Sequence, residues 1–153
     1  MWGAIGAIAG ALITGTPSMW VLRWLLGNET ATILSPVIIA PLTEEITKGI
    51  ILFAVVRSRH FDNVTDGFVY GAAAGLGFGM TENFLYFMGS IQGGPAAWLY
   101  VVVVRTLFSA VMHATATATV GAALGLARFR RIPVQIPIVT AGFGLAMGMH
   151  ALW

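Results

Sequence analysis

Apolar residues in this chain run in long blocks, cut only by a few short polar stretches. A helix needs about 20 mostly apolar residues to span a bilayer, and more when it is tilted. Four blocks meet that length: Ile33 to Val56, Gly67 to Met88, Ala96 to Ala127 and Val134 to Trp153. A fifth, Trp2 to Ile13, is short, and Thr16-Pro17 after it predicts a break. Ser18 to Leu26 then follows as a Trp-rich piece, interfacial or half of a broken span. No stretch reads as a strand, and the blocks are far too long for barrel alternation. The pattern predicts an all-α, multi-pass transmembrane helical bundle of four spans and a partial one. No repeat, low-complexity tract or linker divides residues 1–153, which read as a single domain.

Composition points the same way. Hydrophobic residues make up 58% of the chain and charged residues 9%, against about 25% charged in soluble domains. With a mean hydropathy of +0.85, the chain cannot clothe itself in a water-facing surface, so the lipid bilayer is its main solvent. The net charge of +2 is small and scattered and gives no footprint for nucleic acid. Cysteine is absent, which excludes disulfides and thiolate metal sites. No basic segment precedes the first apolar block, so Met1 to Leu12 does not read as a cleaved signal peptide. The chain begins and ends inside apolar sequence, and polar termini or a further span are expected beyond it.

Charge orients the bundle. Arg57, Arg59 and His60 share one loop, and Arg128, Arg130 and Arg131 share the loop two spans later, so both loops belong on one face. The loop between them, Gly89 to Pro95, has no charge. The positive-inside rule then places the 57–65 and 128–133 loops on the cytoplasmic side of the cell membrane, with Arg23 a minor exception. Small residues recur every fourth position at Gly71, Gly75 and Gly79, and again at Ala114, Ala118 and Ala122. That spacing lets helix backbones approach closely in lipid, and packing is the role expected of both stripes.

Chemistry is expected from the polar residues inside the spans. Of six acidic residues, Glu44, Glu45 and Glu82 lie within apolar blocks, with Lys48, Arg105, His113 and His150. A charge at the centre of a span costs roughly 2.5 to 3.5 kcal/mol, so the set costs on the order of 10 kcal/mol. A functional site is the default reading of such residues, and mutual pairing the alternative. Glu44 and Glu45 lie four and three positions from Lys48, so either can pair with it. One ammonium cannot fully neutralise two carboxylates, and the glutamate left over is a candidate general base. Asn83 could donate its amide to an oxyanion or bond a neighbouring helix. Arg105, Ser109, His113 and Thr117 form one polar stripe at four-residue spacing, in which Ser109 and Thr117 are expected to bond backbone. Asp66 is expected as the N-cap of its helix. Glu44, Glu45, His113 and His150 lie near mid-span and Glu82 nearer an end, which puts four helices' polar groups in one layer.

Glu44-Glu45-Ile46-Thr47-Lys48, Asp66-Gly67-Phe68-Val69-Tyr70-Gly71, Gly75-Leu76-Gly77-Phe78 with Glu82-Asn83, and then His113, form an ordered set over most of Pro41 to Thr117. His150 in Met149-His150-Ala151-Leu152-Trp153 adds a last motif. Each piece is weak alone, but in this order they resemble the signature of the PrsW family, within the CAAX-protease and bacteriocin-processing superfamily of intramembrane proteases. The resemblance implies hydrolysis of peptide bonds in membrane-embedded or membrane-proximal protein substrates, such as anti-sigma-factor-like regulators. It implies catalytic roles for Glu44, Glu45, Glu82, Asn83, His113 and His150, with Lys48 and Arg105 in support.

Two mechanisms fit that set. In the preferred one, Glu44 or Glu45 with His113 activates a water, Asn83 or a histidine stabilises the oxyanion, and no cofactor is required. In the other, Glu82, His113, His150 and a motif glutamate hold zinc, which lowers the pKa of its bound water. A proton or ion transporter is a rival from another class, disfavoured because no inverted repeat is present; a scaffold whose charges only pair is a third reading.

Overall fold

The computed structural model describes residues 1–59 and 61–153; His60, counted above with the first arginine loop, lies outside them. Among the described residues there is no strand, so the all-α bundle is as the apolar blocks require. A π-helical turn, Trp2–Ala7, runs into α1 (Ile8–Leu26), and α2 (Asn28–Leu34) follows a glycine turn. A second π-turn, Ser35–Ile39, leads into α3 (Ala40–Val55). Then come α4 (Val64–Ser90) and α5 (Pro95–Val104), which continues through a third π-turn, Arg105–Ser109, into α6 (Ala110–Ala127). The last helix is α7 (Ile132–Leu152).

Among the described residues, three helical stretches are long and apolar enough to cross a membrane: Trp2–Leu26, Pro95–Ala127 and Ile132–Leu152. The first corrects the expected break, because the helix passes straight through Pro17. Pro17 removes only the donor to the Ile13 carbonyl, and the helix carries on around it with Thr14 donating to Gly10 O and Ser18 to Thr14 O, each at 2.8 Å. The blocks at Ile33–Val56 and Gly67–Met88 are helical too. They fall outside the strongly apolar set because the first carries Glu44, Glu45 and Lys48 and the second is rich in glycine and holds Glu82-Asn83. The helices that bear the three clustered glutamates are thus the less lipophilic ones, flanked by lipophilic neighbours with large exposed apolar side chains such as Trp24, Leu99 and Leu145.

Packing centres on α4 against α6. A Cβ added at Gly71 would strike the Thr117 carbonyl, and one at Gly75 the His113 carbonyl. The glycine stripe therefore lets two backbones touch, and it fixes the height of His113 relative to Glu82. Against this pair lie α3, α7 and the N-terminal turn. Trp2 Nε1 donates to Thr47 O at 3.0 Å, and Thr81 Oγ1 donates to Ala4 O at 2.8 Å. An apolar core of Leu52, Ala116, Val120, Leu124 and Ala146 fills the bundle on the arginine-loop side of the polar cluster.

Two local features complete the frame. The start of α4 is capped by Asn63, which accepts from Asp66 N at 3.1 Å, while the Asp66 carboxylate accepts from Asn63 N at 3.3 Å. Asp66 is therefore the third residue of a capping box and not the N-cap itself. Arg128 Nη2 donates to Ser58 O at 3.0 Å, which ties the two arginine loops together at one end of the bundle.

Candidate active site

Two adjacent glutamates on α3 meet different surroundings. Glu45 and Lys48 are both fully buried, with Lys48 Nζ 2.5 Å from Glu45 Oε1. The same carboxylate receives His150 Nδ1 at 3.0 Å from α7 and the Thr117 hydroxyl at 3.3 Å from α6. Glu45 thus joins three helices. Glu44 points elsewhere: Lys48 Nζ is 3.9 Å and His150 Nε2 3.8 Å from its Oε2. That oxygen is buried and has no hydrogen-bond partner among the described residues. Buried polar atoms are nearly always satisfied, so an orphaned carboxylate oxygen marks a place for a water, a substrate group or a cation. The leftover glutamate expected from the spacing is Glu44.

Across from it, Glu82 on α4 accepts from Arg105 Nη2 at 2.5 Å and faces His113 Nε2 at 2.7 Å. Arg105 is itself held by several groups. Its Nε donates to Asn83 Oδ1 at 3.0 Å, its Nη2 to Ser109 Oγ at 3.1 Å, and its guanidinium lies 3.6 Å from the Tyr86 ring centre. Asn83 Nδ2 donates in turn to Arg105 O at 3.0 Å. The π-turn at Arg105–Ser109 brings these groups round, and such turns often lie at functional positions. His113 Nδ1 is 3.0 Å from Lys48 Nζ. An ammonium has only protons to give, so Nδ1 accepts and the ring proton sits on Nε2, directed at Glu82.

All eight residues singled out in the sequence converge here: Glu44, Glu45, Lys48, Glu82, Asn83, Arg105, His113 and His150. Asn83 spends its amide on the interhelical bond with Arg105. Ser109 and Thr117, expected to bond backbone, instead bond side chains of the cluster. Tyr86 was missed; its four-residue spacing from Glu82 was the signal available. Phe78 closes one side, with its ring 4.3 Å from Lys48 Nζ and 5.2 Å from the His113 ring.

Glu44, His113 and His150 each offer one ligand atom within 4.8 Å of the others. One carboxylate and two imidazoles match the donor set of a catalytic zinc with an open position, and the orphaned Glu44 oxygen fits a cation. His150 also has its Nδ1 on Glu45, the carboxylate support typical of a ligating histidine. The grouping therefore offers a metal the two histidines and the motif glutamate of the sequence reading without Glu82, and His113 joins it only by giving up its Lys48 or Glu82 partner.

Two clefts open onto the cluster. One of about 420 Å³ is lined by Glu44, Glu82, Arg105, His113 and His150. The other, of about 250 Å³, runs between α1 and α4 past Ala11, Leu12, Gly15 and Leu85 to the same Glu44 and Glu82. The first is mixed, with charged side chains beside apolar ones, and the second mostly apolar, and the two glutamates stand where they meet.

Fold and site together define a helical membrane protein with a buried carboxylate and histidine centre. The chain belongs to the PrsW family: the family model described as PrsW family intramembrane metalloprotease matches residues 1–153. Among curated proteins it is similar to Protease PrsW of Bacillus subtilis (strain 168), 33% identical over 71% of this chain and 47% of that protein. It is also similar to Protease PrsW of Geobacillus kaustophilus (strain HTA426), 37% identical over 48% of this chain and 33% of that protein. The chain thus spans half or less of the length of these relatives. No solved structure matches it.

Proposed function

We propose that this protein is an intramembrane endopeptidase that hydrolyses membrane-embedded or membrane-proximal protein substrates, with Glu44 as the group that activates water. The observation that carries this reading is the orphaned Glu44 Oε2, buried where the two clefts meet. The apolar cleft between α1 and α4 suits an unwound stretch of a substrate's membrane helix, and the charged side chains of the mixed cleft suit water. Glu44 takes a proton from water as its oxygen bonds to the scissile carbonyl carbon. The negative charge passes to the carbonyl oxygen, where the Arg105 guanidinium, which lines the mixed cleft, can meet it. Asn83 acts through Arg105 by holding it. Collapse of the intermediate breaks the C–N bond, and the leaving nitrogen takes the proton back from Glu44. Glu45 and Lys48 are positioning residues that hold His150 and His113. Substrates of the anti-sigma-factor-like class, and a multi-pass topology with both arginine loops cytoplasmic, belong to the same proposal.

A metal-assisted version is the second reading, favoured by the grouping of Glu44, His113 and His150 and by the description of the matching family. Those three residues would hold the ion, which would supply Lewis-acid polarisation of water or carbonyl. The Lys48–His113 contact favours the glutamate version, because it leaves the Nε2 of His113 protonated and without a lone pair to give.

The experiment is hydrolysis in liposomes. The purified chain is mixed with single-span membrane proteins and products are read by mass spectrometry. Discrete internal cleavage that disappears in a folded Glu44→Gln variant is the expected result. Cleavage at the wild-type rate in that variant would overturn the assignment.

A further inference from the structure

At the opposite end of the bundle from the active site lies a cavity of about 430 Å³ that the proposed hydrolysis does not use. It sits between the end of α3, the end of α6 and the start of α7. Arg57 and Arg128 line it, together with an apolar wall that includes Phe53, Val56, Leu124 and Val139. Arg57 is exposed and Nη1 donates to Phe53 O at 2.7 Å. Arg128 donates Nη2 to Ser58 O at 3.0 Å, and its Nη1 has no hydrogen-bond partner among the described residues. Neither arginine forms an ion pair with a carboxylate of the described residues, among which every ion pair belongs to the active-site cluster. Two cations without a counter-charge therefore share a pocket with an apolar wall, at the level where the helices leave the membrane.

We infer that this cavity binds an anionic phospholipid, with Arg57 and Arg128 taking the phosphate and the apolar wall taking the upper acyl chains. Guanidinium groups match phosphate oxygens in geometry as well as charge. A soluble phosphate would satisfy the cations but leave the Leu124 and Val139 wall in contact with water. A zwitterionic lipid such as phosphatidylcholine would cover the wall and offer a phosphate, but its own ammonium cancels that charge and leaves the two arginines without a net counter-charge. Only a ligand that is anionic at one end and apolar at the other meets both surfaces, and basic pockets between membrane helices bind such headgroups. The Gln135 amide donates to Arg130 O at 2.8 Å and so keeps the α6–α7 loop folded at the pocket's rim.

The test uses the full chain, stripped of lipid in a neutral detergent and presented with equimolar phosphatidylglycerol and phosphatidylcholine, with bound lipid counted by native mass spectrometry. Phosphatidylglycerol should be retained in preference. Arg128→Gln should lower that preference roughly fivefold, the effect of about one interfacial cation. Val139→Trp keeps both charges but fills the wall, and should lower lipid occupancy without the charge change. Arg130→Gln, at an exposed position outside the cavity, should change nothing. Equal retention of the two lipids, or an undiminished preference in Arg57→Gln and Arg128→Gln alike, would overturn the site. So would displacement of the lipid by an equal concentration of inorganic phosphate.

Discussion

Lys48 Nζ lies 2.5 Å from Glu45 Oε1, and both side chains are wholly shut off from solvent. This pairing separates two glutamates that are neighbours in the chain. Consecutive helical residues point about 100° apart, so when Glu45 faces Lys48, Thr117 and His150, Glu44 must face the clefts. One carboxylate is fully paired, and the other keeps an unpaired oxygen.

Substitution should expose that division. Glu44→Gln should lower hydrolysis by at least ~10²-fold, the lower range for a lost general base, with thermal unfolding in detergent little changed. Glu45→Gln should destabilise the protein by roughly 3–5 kcal/mol, because it strands a buried ammonium. Glu45→Gln combined with Lys48→Met should recover most of that stability. Comparable unfolding temperatures for the two single variants would contradict the assignment.

The glycine seam makes a second, purely structural prediction. Gly71→Ala should destabilise by about 1–3 kcal/mol or more, as overpacking does, since its new methyl group meets the Thr117 carbonyl. Gly148→Ala places a methyl in open space and should be neutral or slightly stabilising through helix propensity. Thermal unfolding of both variants decides the matter; equal effects would mean that α4 and α6 are not in backbone contact.

Metal dependence can be measured without a substrate. Elemental analysis of protein purified without chelators should find less than one metal per chain, and prolonged chelation should leave hydrolysis intact. Stoichiometric zinc that is lost in His150→Ala would establish the metal-assisted version instead, with the protease reading unaffected.

Topology has its own check, helped by the absence of native cysteine. A cysteine at Gln92 should react with an impermeant thiol reagent added to intact cells, and one at Arg59 should react only after lysis. The reverse pattern would invert the bundle.

The polar centre was legible in the sequence for an energetic reason. Lipid penalises every buried charge, so Glu44, Glu45, Lys48, Glu82, Arg105, His113 and His150 stand out against their apolar blocks. Their pairing was not legible. Spacings of three and four residues leave Lys48 equally available to both glutamates, and only the rotation of α3 against α6 and α7 decides between them. Ser109 and Thr117 looked like backbone-bonded packing residues because their partners, Arg105 and Glu45, become known only once the turn and the helix pairing exist. Pro17 misled for the converse reason: a missing N–H predicts a break, but it removes a single bond from a long helix, and α1 continues through it. The capping box was written as Asn63 and Asp66 three positions apart, and the first of the two was overlooked.

One consequence follows from the seam between Gly71–Gly75 and His113–Thr117. Where backbones touch there is no side chain to swing aside and no slack to take up, so α4 and α6 behave as a rigid frame that carries Glu82 and His113 at constant separation. The element across the apolar cleft is different: α1 has no fully buried side chain and carries a proline in its interior. On the proposed function, admitting a polypeptide to Glu44 is therefore cheapest as a displacement of α1, a panel hung on a fixed jamb, and the distances within the polar cluster would be the last quantities to change as it opens.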